Sequence, residues 1–534
     1  MKKTSILSIA LFGGICSSAF ATNNQIGIEF FKFGAIEQAK EIFLSDKKIG
    51  NINAETDYYL GEIYFSQQKL DSASFYFNDG LAKQPEDALN KIGIAKLNLT
   101  KSPKESNAIL KKIGDKNKKN PSILIAIGKA YLDNNQSEKA LQYAHMAKKI
   151  KNAGGYVLEG DIYASKNELG KASGSYEQAL TFDKSCKEAY VRYANVYMSV
   201  NPDLSANILE RLIEVDPTSP FAQRAVADAY YAGGQFRKAA DAYSKYATSE
   251  YCVPSDLSKY ALILFYSGDY QKSWEIVSSS LKTNPNDFVM KRLLMYNDYE
   301  LKKYVEGLPA ADNFMNNKAD NQKFIYLDYV YYGRFLQKSE NYNKALEQYQ
   351  KSIELDSTKI IAYKELASTF ESLNNYELAI KNYQLYIYKS GDKATFGDQL
   401  ALGKNYYYAG NAIQVKDKPN LEKRKQLLLA ADSIFGYVAG KSTNSYLGNF
   451  WRARANSSLD PETEKGLAKP YYEAALELLE KNAQNNVKQI VECYSYLGYY
   501  FYVKGEKQTS ISYWNKILKI DPTNEVAKTA LAGM

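Results

Sequence analysis

The sequence predicts an all-α protein, an α-solenoid in which antiparallel helix pairs stack one upon the next. Three observations predict this class. A small residue recurs roughly every 34 positions, large side chains follow it at fixed distances, and turn-forming segments separate the resulting helices. Composition agrees, because 45% hydrophobic and 24% charged residues are typical of a chain that buries a core.

The recurring small residue marks the first helix of each predicted pair. Two helices can cross closely only where one of them presents Gly or Ala, so a regular series of such residues indicates a regular series of crossings. The fourteen markers, among which Met295 is the one large residue, are Gly27, Gly61, Ala95, Gly128, Gly160, Ala194, Ala227, Ala261, Met295, Gly333, Ala367, Gly403, Ala455 and Gly498.

Side chains at fixed offsets from the marker complete each pair. After Gly61, a Tyr follows at three positions, an Ala at twelve and a Phe at sixteen, and Gly498 is followed by Phe, Ser and Trp at the same offsets. Offsets of three and four place side chains on one face of a helix, so each unit reads as two amphipathic helices. Turn signals lie between them, among them "DNNQS", "AGGQ", "SGDY" and "LNNY".

This spacing resembles the tetratricopeptide repeat (TPR). The resemblance is strongest in "DYYLGEIYFSQQKLDSASFYFNDGLAKQP", residues 57–85, and in "GDIYASKNELGKASGSYEQAL", residues 160–180, and it covers nearly the whole chain after residue 21. It implies a right-handed solenoid of about fourteen units whose first helices line a concave groove for partner proteins or peptides. Such helix pairs bury their apolar faces only by stacking on neighbours.

The pattern frays after Met295, which predicts two arrays, 22–310 and 311–534. The second array carries an insert near 410–426, "GNAIQVKDKPNLEKRKQ", expected as an exposed loop that is either a lateral contact site or inert. The tail "NEVAKTALAGM" predicts a short C-terminal capping helix, and Gly440 is expected to end a helix in the left-handed conformation.

Residues 1–21 predict a cleavable export signal. Lys2 and Lys3 precede a short apolar stretch, and Ala19-Phe20-Ala21 is a cleavage site of the expected type. Cys16 follows Ile15 rather than a small residue, which argues against lipidation. We therefore expect a periplasmic protein cleaved after Ala21, with secretion beyond the periplasm as the alternative and no membrane span in the mature chain.

Several functional classes are disfavoured by the residues themselves. The lysines are scattered, and the formal net charge of +8 loses two units with the signal, so nucleic acid is not an expected partner. His145 is the one histidine and has no ligand-spaced Cys or His, which leaves no metal site, cofactor or catalytic triad to predict. We therefore expect a protein that is not an enzyme.

The resemblance also implies which side chains face the groove. These stand three before, one after and four after each marker, and Arg beside Tyr is good anchor chemistry for a partner. The predicted groove stripe consists of Arg224, Asp228, Tyr231, Arg292, Tyr296, Tyr299, Arg334, Lys364, Arg452, Asn456, Tyr499 and Tyr502. One TPR subfamily grips a C-terminal carboxylate, but Tyr496 replaces an asparagine that its clamp requires.

The predicted export signal and the predicted repeats together lead to one principal functional hypothesis. The chain is expected to be a non-enzymatic periplasmic scaffold that binds partner proteins or peptides in a cell-envelope complex serving assembly, secretion or transport. The alternative is a glycan-binding accessory protein of the envelope, in which tyrosine rings stack on sugars. Two features count against that alternative: the chain has just three tryptophans, and it lacks a lipoprotein cysteine.

Overall fold

A computed structural model describes residues 23–50, 53–317 and 323–534, so the predicted export signal lies outside the described residues. Within them the secondary structure consists of helices, together with two short 3₁₀ segments, Gly391–Lys393 and Glu480–Asn485. The α-helices are α1 Asn23–Lys32, α2 Ile36–Lys48, α3 Ala54–Ser66, α4 Leu70–Lys83, α5 Ala88–Asn98, α6 Pro103–Lys116, α7 Pro121–Leu132, α8 Ser137–Lys149, α9 Ala153–Ser165, α10 Leu169–Phe182, α11 Lys187–Tyr197, α12 Pro202–Val215, α13 Pro220–Ala232, α14 Phe236–Ala247, α15 Pro254–Ser267, α16 Tyr270–Thr283, α17 Phe288–Glu300, α18 Tyr304–Met315, α19 Tyr326–Lys338, α20 Tyr342–Leu355, α21 Ile361–Ser372, α22 Tyr376–Ser390, α23 Phe396–Ala412, α24 Lys418–Lys441, α25 Leu447–Leu459, α26 Lys469–Leu479, α27 Val487–Val503, α28 Lys507–Ile520 and α29 Glu525–Ala532.

Each of the fourteen markers lies on the first helix of a pair, and six of the glycine markers cross the second helix as closely as the sequence predicts. A Cβ placed on Gly61 would come within 2.3 Å of the Phe77 ring, sixteen residues later on α4. Gly498 meets Trp514 of α28 in the same way, at 2.8 Å. The two distant segments therefore share one packing arrangement. The predicted class, an all-α stack of paired helices, is confirmed.

The turn inside each pair repeats as well. The residue seven after the marker adopts positive φ in ten pairs, because a left-handed residue lets the chain reverse after the first helix. These residues are Gly34, Gln68, Asn135, Asn167, Gly234, Gly268, Lys302, Glu340, Asn374 and Gly505. The turn segments predicted around Asn135, Gly234, Gly268 and Asn374 are thus confirmed.

The Cα packing divides the chain into two compact units, unit 1 from Met1 to Leu293 and unit 2 from Leu294 to Met534. The sequence-based boundary at 310/311 stays a prediction. In the frayed stretch, α18 is helical and carries Pro309 in its interior. At the other end of the chain, α29 packs against α28.

Two local expectations were wrong. The insert near 410–426 is mostly helical rather than a loop, because α23 continues to Ala412 and α24 begins at Lys418. The long α24 brings a ring to the usual place beside the marker. In this pair the ring that packs over Gly403 is Phe435, and not that of a residue sixteen positions after the marker. A Cβ on Gly403 would lie 2.5 Å from the Phe435 ring. Gly440 lies inside α24 and is not among the positive-φ residues, because the helix continues to Lys441.

Candidate functional site

On α13 of unit 1, the residues of the predicted groove stripe interact with other side chains of the same protein. Arg224 on α13 donates from Nε to Oδ1 of the buried Asp256 at 3.0 Å. Asp228 pairs with Lys259 at 2.6 Å. Tyr231 is half-buried, with its ring 5.7 Å from that of Phe236. Both charges thus have partners on the next first helix, α15.

The N-terminal pair α1–α2 packs against this same part of unit 1. Phe33 lies 4.6 Å from Phe221 of α13, centroid to centroid. Glu29 bonds Lys187 of α11 at 3.2 Å, and Gln38 of α2 donates to Asp256 at 2.9 Å. Residues near the start of the chain therefore cover first-helix side chains that follow them by more than 150 positions.

In unit 2 three stripe residues meet in one cluster. Tyr296 is buried, stacks on Tyr331 at 4.3 Å and donates to Asp328 at 2.6 Å. Arg334 places its guanidinium carbon 5.6 Å from the Tyr299 ring centre. Burial raises the pKa of Tyr299 to about 12. The Arg–Tyr adjacency that the sequence suggested is present, but as packing between first helices.

The remaining cations of the stripe are also engaged. Arg334 donates twice to Glu365, at 2.8 and 2.6 Å. Lys364 bonds Asp398 at 2.6 Å, and although burial alone would raise the pKa of Asp398, Lys364 and Thr395 lower it. Arg292 lies over Phe288, with 4.9 Å between guanidinium carbon and ring centre.

The last stripe residues differ in their surroundings. Arg452 and Asn456 both donate to Asp432, at 2.8 and 2.6 Å. Both donors are therefore already bonded within the protein, unlike those of a carboxylate clamp that is free to bind a partner. Tyr499 and Tyr502 on α27 are 43% and 52% exposed. Whether any of the twelve contacts a partner stays a prediction.

The ion pairs follow the repeat register. A cation three before one marker bonds an acid five before the next, as in Arg224 with Asp256 and Lys364 with Asp398. A charge one after a marker pairs with the residue two before the next, as in Arg334 with Glu365. Several successive first helices are thus joined by charge pairs at recurring positions, here called the ladder.

Lys404 occupies a ladder position whose partner is missing. It lies one after Gly403, where Arg334 stands in an earlier pair, but the position two before the next marker is Ala453. In the part of the chain that the structure describes, Lys404 forms no ion pair and no hydrogen bond. Its ammonium lies instead 4.7 Å from the centre of the Trp451 ring.

Electrostatics at Lys404 follow from this arrangement. Burial lowers the pKa of Lys404 below its ordinary value, the carboxylate of Glu371 opposes the change and the Arg454 guanidinium adds to it. Arg454 itself is neutralised by Glu492 through bonds of 2.7 and 2.6 Å. Lys404 is therefore a half-buried charge for which a partner carboxylate would be favourable.

Lys404 opens into a cleft of about 610 Å³ between α21, α22 and α23. Its lining is polar and aromatic: Ser368, Glu371, Ser372, Asn374, Tyr376, Tyr383, Gly397, Leu400, Ala401, Lys404 and Tyr408. A second cleft of about 580 Å³ shares Asn374 and Tyr376 with the first. Apolar side chains contribute to it, including Ile380, Ala409, Ile413 and Leu427, so the helical insert supplies part of its wall.

Sequence reasoning passed over Lys404. The signal was available, since Lys404 stands at the same register position as Arg334. Its significance depends on Ala453, which lies on the next first helix, α25, and only the ladder seen in the structure relates the two residues. The second cleft likewise depends on α24, which begins inside the insert that the sequence suggested to be a loop.

The histidine and the cysteines Cys186 and Cys252 lie outside the two clefts of unit 2. No group of His, Cys, Asp and Glu able to hold a metal ion is found among the described residues. His145 is 53% exposed and lies 3.5 Å from Glu159. Burial raises the pKa of the Cys186 and Cys252 thiols to about 11. No described helix is both long and apolar enough to cross a membrane.

Comparison with known proteins agrees with the geometry. A family model described as a tetratricopeptide repeat matches residues 329–359. A TPR repeat-containing protein of Methanocaldococcus jannaschii is 21% identical over 419 residues, which is 66% of this chain and 72% of that protein.

Solved structures with similarity include other repeat proteins. The C-terminal part of a TPR repeat-containing protein from Cytophaga hutchinsonii is 29% identical, with 51% of this chain and 99% of that chain covered and a TM-score of 0.43. A tetratricopeptide repeat protein from Parabacteroides merdae ATCC 43184 is 15% identical, with coverages of 47% and 98% and a TM-score of 0.33.

The matched stretch 329–359 contains the Gly333–Tyr349 crossing, in which a Cβ on the glycine would lie 2.5 Å from the ring. The same crossing recurs from Gly27 with Phe43 to Gly498 with Trp514. A sequence match at one repeat thus coincides with a packing register that extends along the chain. The chain thus carries a tetratricopeptide repeat at residues 329–359, and its other helix pairs resemble that repeat in their packing.

Proposed function

We propose that this chain is a non-enzymatic scaffold that acts in the periplasm and holds partner proteins or peptides within a cell-envelope complex. TPR repeats support the general role of a protein-interaction scaffold. The periplasmic address rests on the sequence of residues 1–21, with its basic start, apolar stretch and Ala19-Phe20-Ala21.

The observation that carries the proposal is the difference between first-helix surfaces in the two units. In unit 1, α1 and α2 cover first-helix side chains of α11, α13 and α15. In unit 2, α21, α22 and α23 leave a cleft of about 610 Å³ with an unpaired cation and tyrosine rings. Concave sites with a few polar groups among aromatic side chains are where proteins usually bind ligands.

In-cell crosslinking tests this role. The full chain with a C-terminal affinity tag is expressed in a Gram-negative bacterium, treated with formaldehyde and purified under denaturing conditions. We expect the same envelope proteins to be recovered in replicate experiments. A matched chain lacking residues 1–21 should lose those adducts, and the exported chain should begin at Thr22.

Two outcomes would contradict the proposal. Equal adducts from both chains would remove the periplasmic assignment. Strong binding to a glycan array with no reproducible protein adduct would replace the scaffold by the glycan-binding alternative.

A further inference from the structure

The paired clefts of unit 2 combine Lys404, which forms no ion pair, with an adjoining surface that is partly apolar. Lys404 lies in the first cleft, and Ile380, Ile413 and Leu427 line the second. The clefts share Asn374 and Tyr376, so a chain that passes Tyr376 contacts both. A ligand that satisfies both must carry an anionic group and an apolar group within one extended segment.

We propose that this composite site binds an extended peptide segment through an aspartate or glutamate side chain on Lys404 and a neighbouring apolar side chain in the Ile380–Ile413–Leu427 cleft. The proposal rests on the scaffold function and names the chemistry of its partner. Lys404 lacks the acid that Arg334 has at the matching position, because Ala453 stands where Glu365 stands in the earlier pair. A partner's carboxylate forms the ion pair with Lys404 that the chain itself does not provide.

Charge selects a carboxylate over a phosphate at this position. Glu371 lines the same cleft, with one oxygen accepting from Asn405 at 3.0 Å. A dianionic phosphate next to Glu371 would be repelled more strongly than a single carboxylate. The site therefore fits one acidic side chain and disfavours a phosphopeptide.

The arrangement also favours a side-chain carboxylate over a chain terminus. Terminal carboxylates are held by several converging donors, but here Arg454 is bonded twice to Glu492 and Arg452 is bonded to Asp432. Lys404 is left as a single cation. The cleft also adjoins a second one past Tyr376, so the segment continues instead of ending at Lys404.

Peptide binding tests the inference directly. The probes are fluorescein-labelled peptides with capped ends, in which one Glu and one Leu are placed at every separation within a Ser/Gly background. Each has a partner peptide with Gln in place of Glu. Fluorescence polarisation is measured with the full chain, with Lys404→Gln and with Lys381→Gln, which removes the same charge from an exposed position of α22 outside both clefts.

We expect at least one Glu–Leu spacing to bind the unmodified chain and Lys381→Gln equally. Lys404→Gln should bind it about tenfold more weakly, because glutamine is polar but cannot form the charge-assisted hydrogen bond. The Gln peptide should bind as weakly as Lys404→Gln binds the Glu peptide. Circular dichroism of the variants confirms that each retains the helical fold.

Two results would overturn the inference: no Glu peptide binds better than its Gln partner, or Lys404→Gln binds as well as the unmodified chain. Its failure differs from failure of the scaffold role. If formaldehyde adducts persist while peptide binding is unaffected by Lys404→Gln, the scaffold role is supported and the proposed site is rejected. If peptides bind at Lys404 but no partner is captured in cells, the site stands alone.

Discussion

At the scale of single residues, the close helix crossings depend on glycine. A Cβ on Gly333 would lie 2.5 Å from Cε1 of Tyr349, a ring that is fully buried. Neither partner can move without disturbing the next pair, since interiors are packed as densely as organic crystals.

Substitution of Gly333 should therefore destabilise unit 2. Overpacking a core costs about 1–3 kcal/mol, so we expect a loss of that size for Gly333→Ala, and several kcal/mol, roughly the upper end of that range or beyond, for Gly333→Trp. Thermal unfolding followed by circular dichroism measures the change. Gly440→Ala is the control in the same unit, because its Cβ would meet nothing within 4 Å.

The control carries its own prediction. Gly440 is helical, so alanine there should stabilise by roughly 0.5–1 kcal/mol. A loss of stability in Gly440→Ala would instead support the left-handed helix end that the sequence suggested for Gly440. Unchanged unfolding of Gly333→Trp would contradict the crossing.

Two lysines with opposite surroundings test the charge ladder. Lys96 is 2% exposed and pairs with Glu62 and Asp133 at 2.8 and 2.5 Å. Burial alone would lower the pKa of Lys96, but the two carboxylates raise it. Removing one member of a buried ion pair costs about 3–5 kcal/mol, so Lys96→Met should destabilise strongly.

Lys404→Met should behave differently. The lowered pKa of Lys404 means that the folded state binds its proton less well than the unfolded state, so at neutral pH this charge opposes folding. Its removal should leave the free energy of unfolding unchanged or raise it. A loss as large as that of Lys96→Met, in urea titrations of both variants, would show that Lys404 has a structural partner.

At the scale of helices and turns, much of the fold follows from the sequence because packing at the crossings tolerates few residue types. Gly61 with Phe77 and Gly498 with Trp514 can be identified from spacing alone, since only a small residue opposite a large one fits there. Prediction fails where the cause is not local. Gln68, Lys302 and Glu340 adopt the left-handed conformation, although none is a typical turn residue, because their position in the pair requires it.

The candidate site was less predictable than the fold for the same reason. The stripe positions could be derived from the register, but their ion pairs join residues on successive helices. Arg334 and Lys404 look equivalent in sequence, and the difference arises from Glu365 and Ala453, the residues opposite them. The second cleft further depends on an insert that is mostly helical.

Deleting residues 411–426 tests the role of that insert. The deletion places Gly410 before Leu427 and leaves Gly403 and Phe435 sixteen positions apart, the spacing of the other pairs. Gly410 would then stand seven after the marker, where other pairs have a left-handed residue. We expect circular dichroism to show a folded helical protein, and Glu–Leu peptides to bind more weakly because Ile413 and Lys423 are lost from the second cleft.

This deletion has a clear contrary result. Collapse of helicity would mean that the longer α24 is required for the fold and that the insert does not simply extend a standard pair. Undiminished peptide binding would remove the second cleft from the proposed site.

At the scale of the whole molecule, tyrosine dominates the response to pH. The chain has 47 tyrosines, and burial raises the pKa of Tyr131, Tyr299 and Tyr496 to about 12. Since the folded pKa lies above the unfolded value of about 10, these groups stabilise the fold fully below pH ~10 and less as pH rises toward 12.

Alkaline titration should therefore unfold the protein cooperatively. Tyrosinate absorbance and loss of helical circular dichroism should rise together above pH ~10. The two signals would separate if most tyrosines ionised in the intact fold, and that result would contradict their burial.

The two units also differ in how their first-helix side chains are covered. Unit 1 covers first-helix side chains with its own N-terminal pair, and unit 2 keeps the clefts beside Lys404 accessible. A partner should therefore meet α21 to α23 and should not meet α13. This assignment is the central claim about how the repeats function.

Site-specific photo-crosslinking in living cells tests that claim most directly. A photoreactive phenylalanine is placed at Ser372, which is exposed and lines the first cleft, or at Tyr231 on α13 as the comparison. We predict a discrete adduct from position 372 that Lys404→Gln weakens, and none from position 231. An adduct from position 231 alone, or one from 372 that ignores Lys404→Gln, would contradict the account.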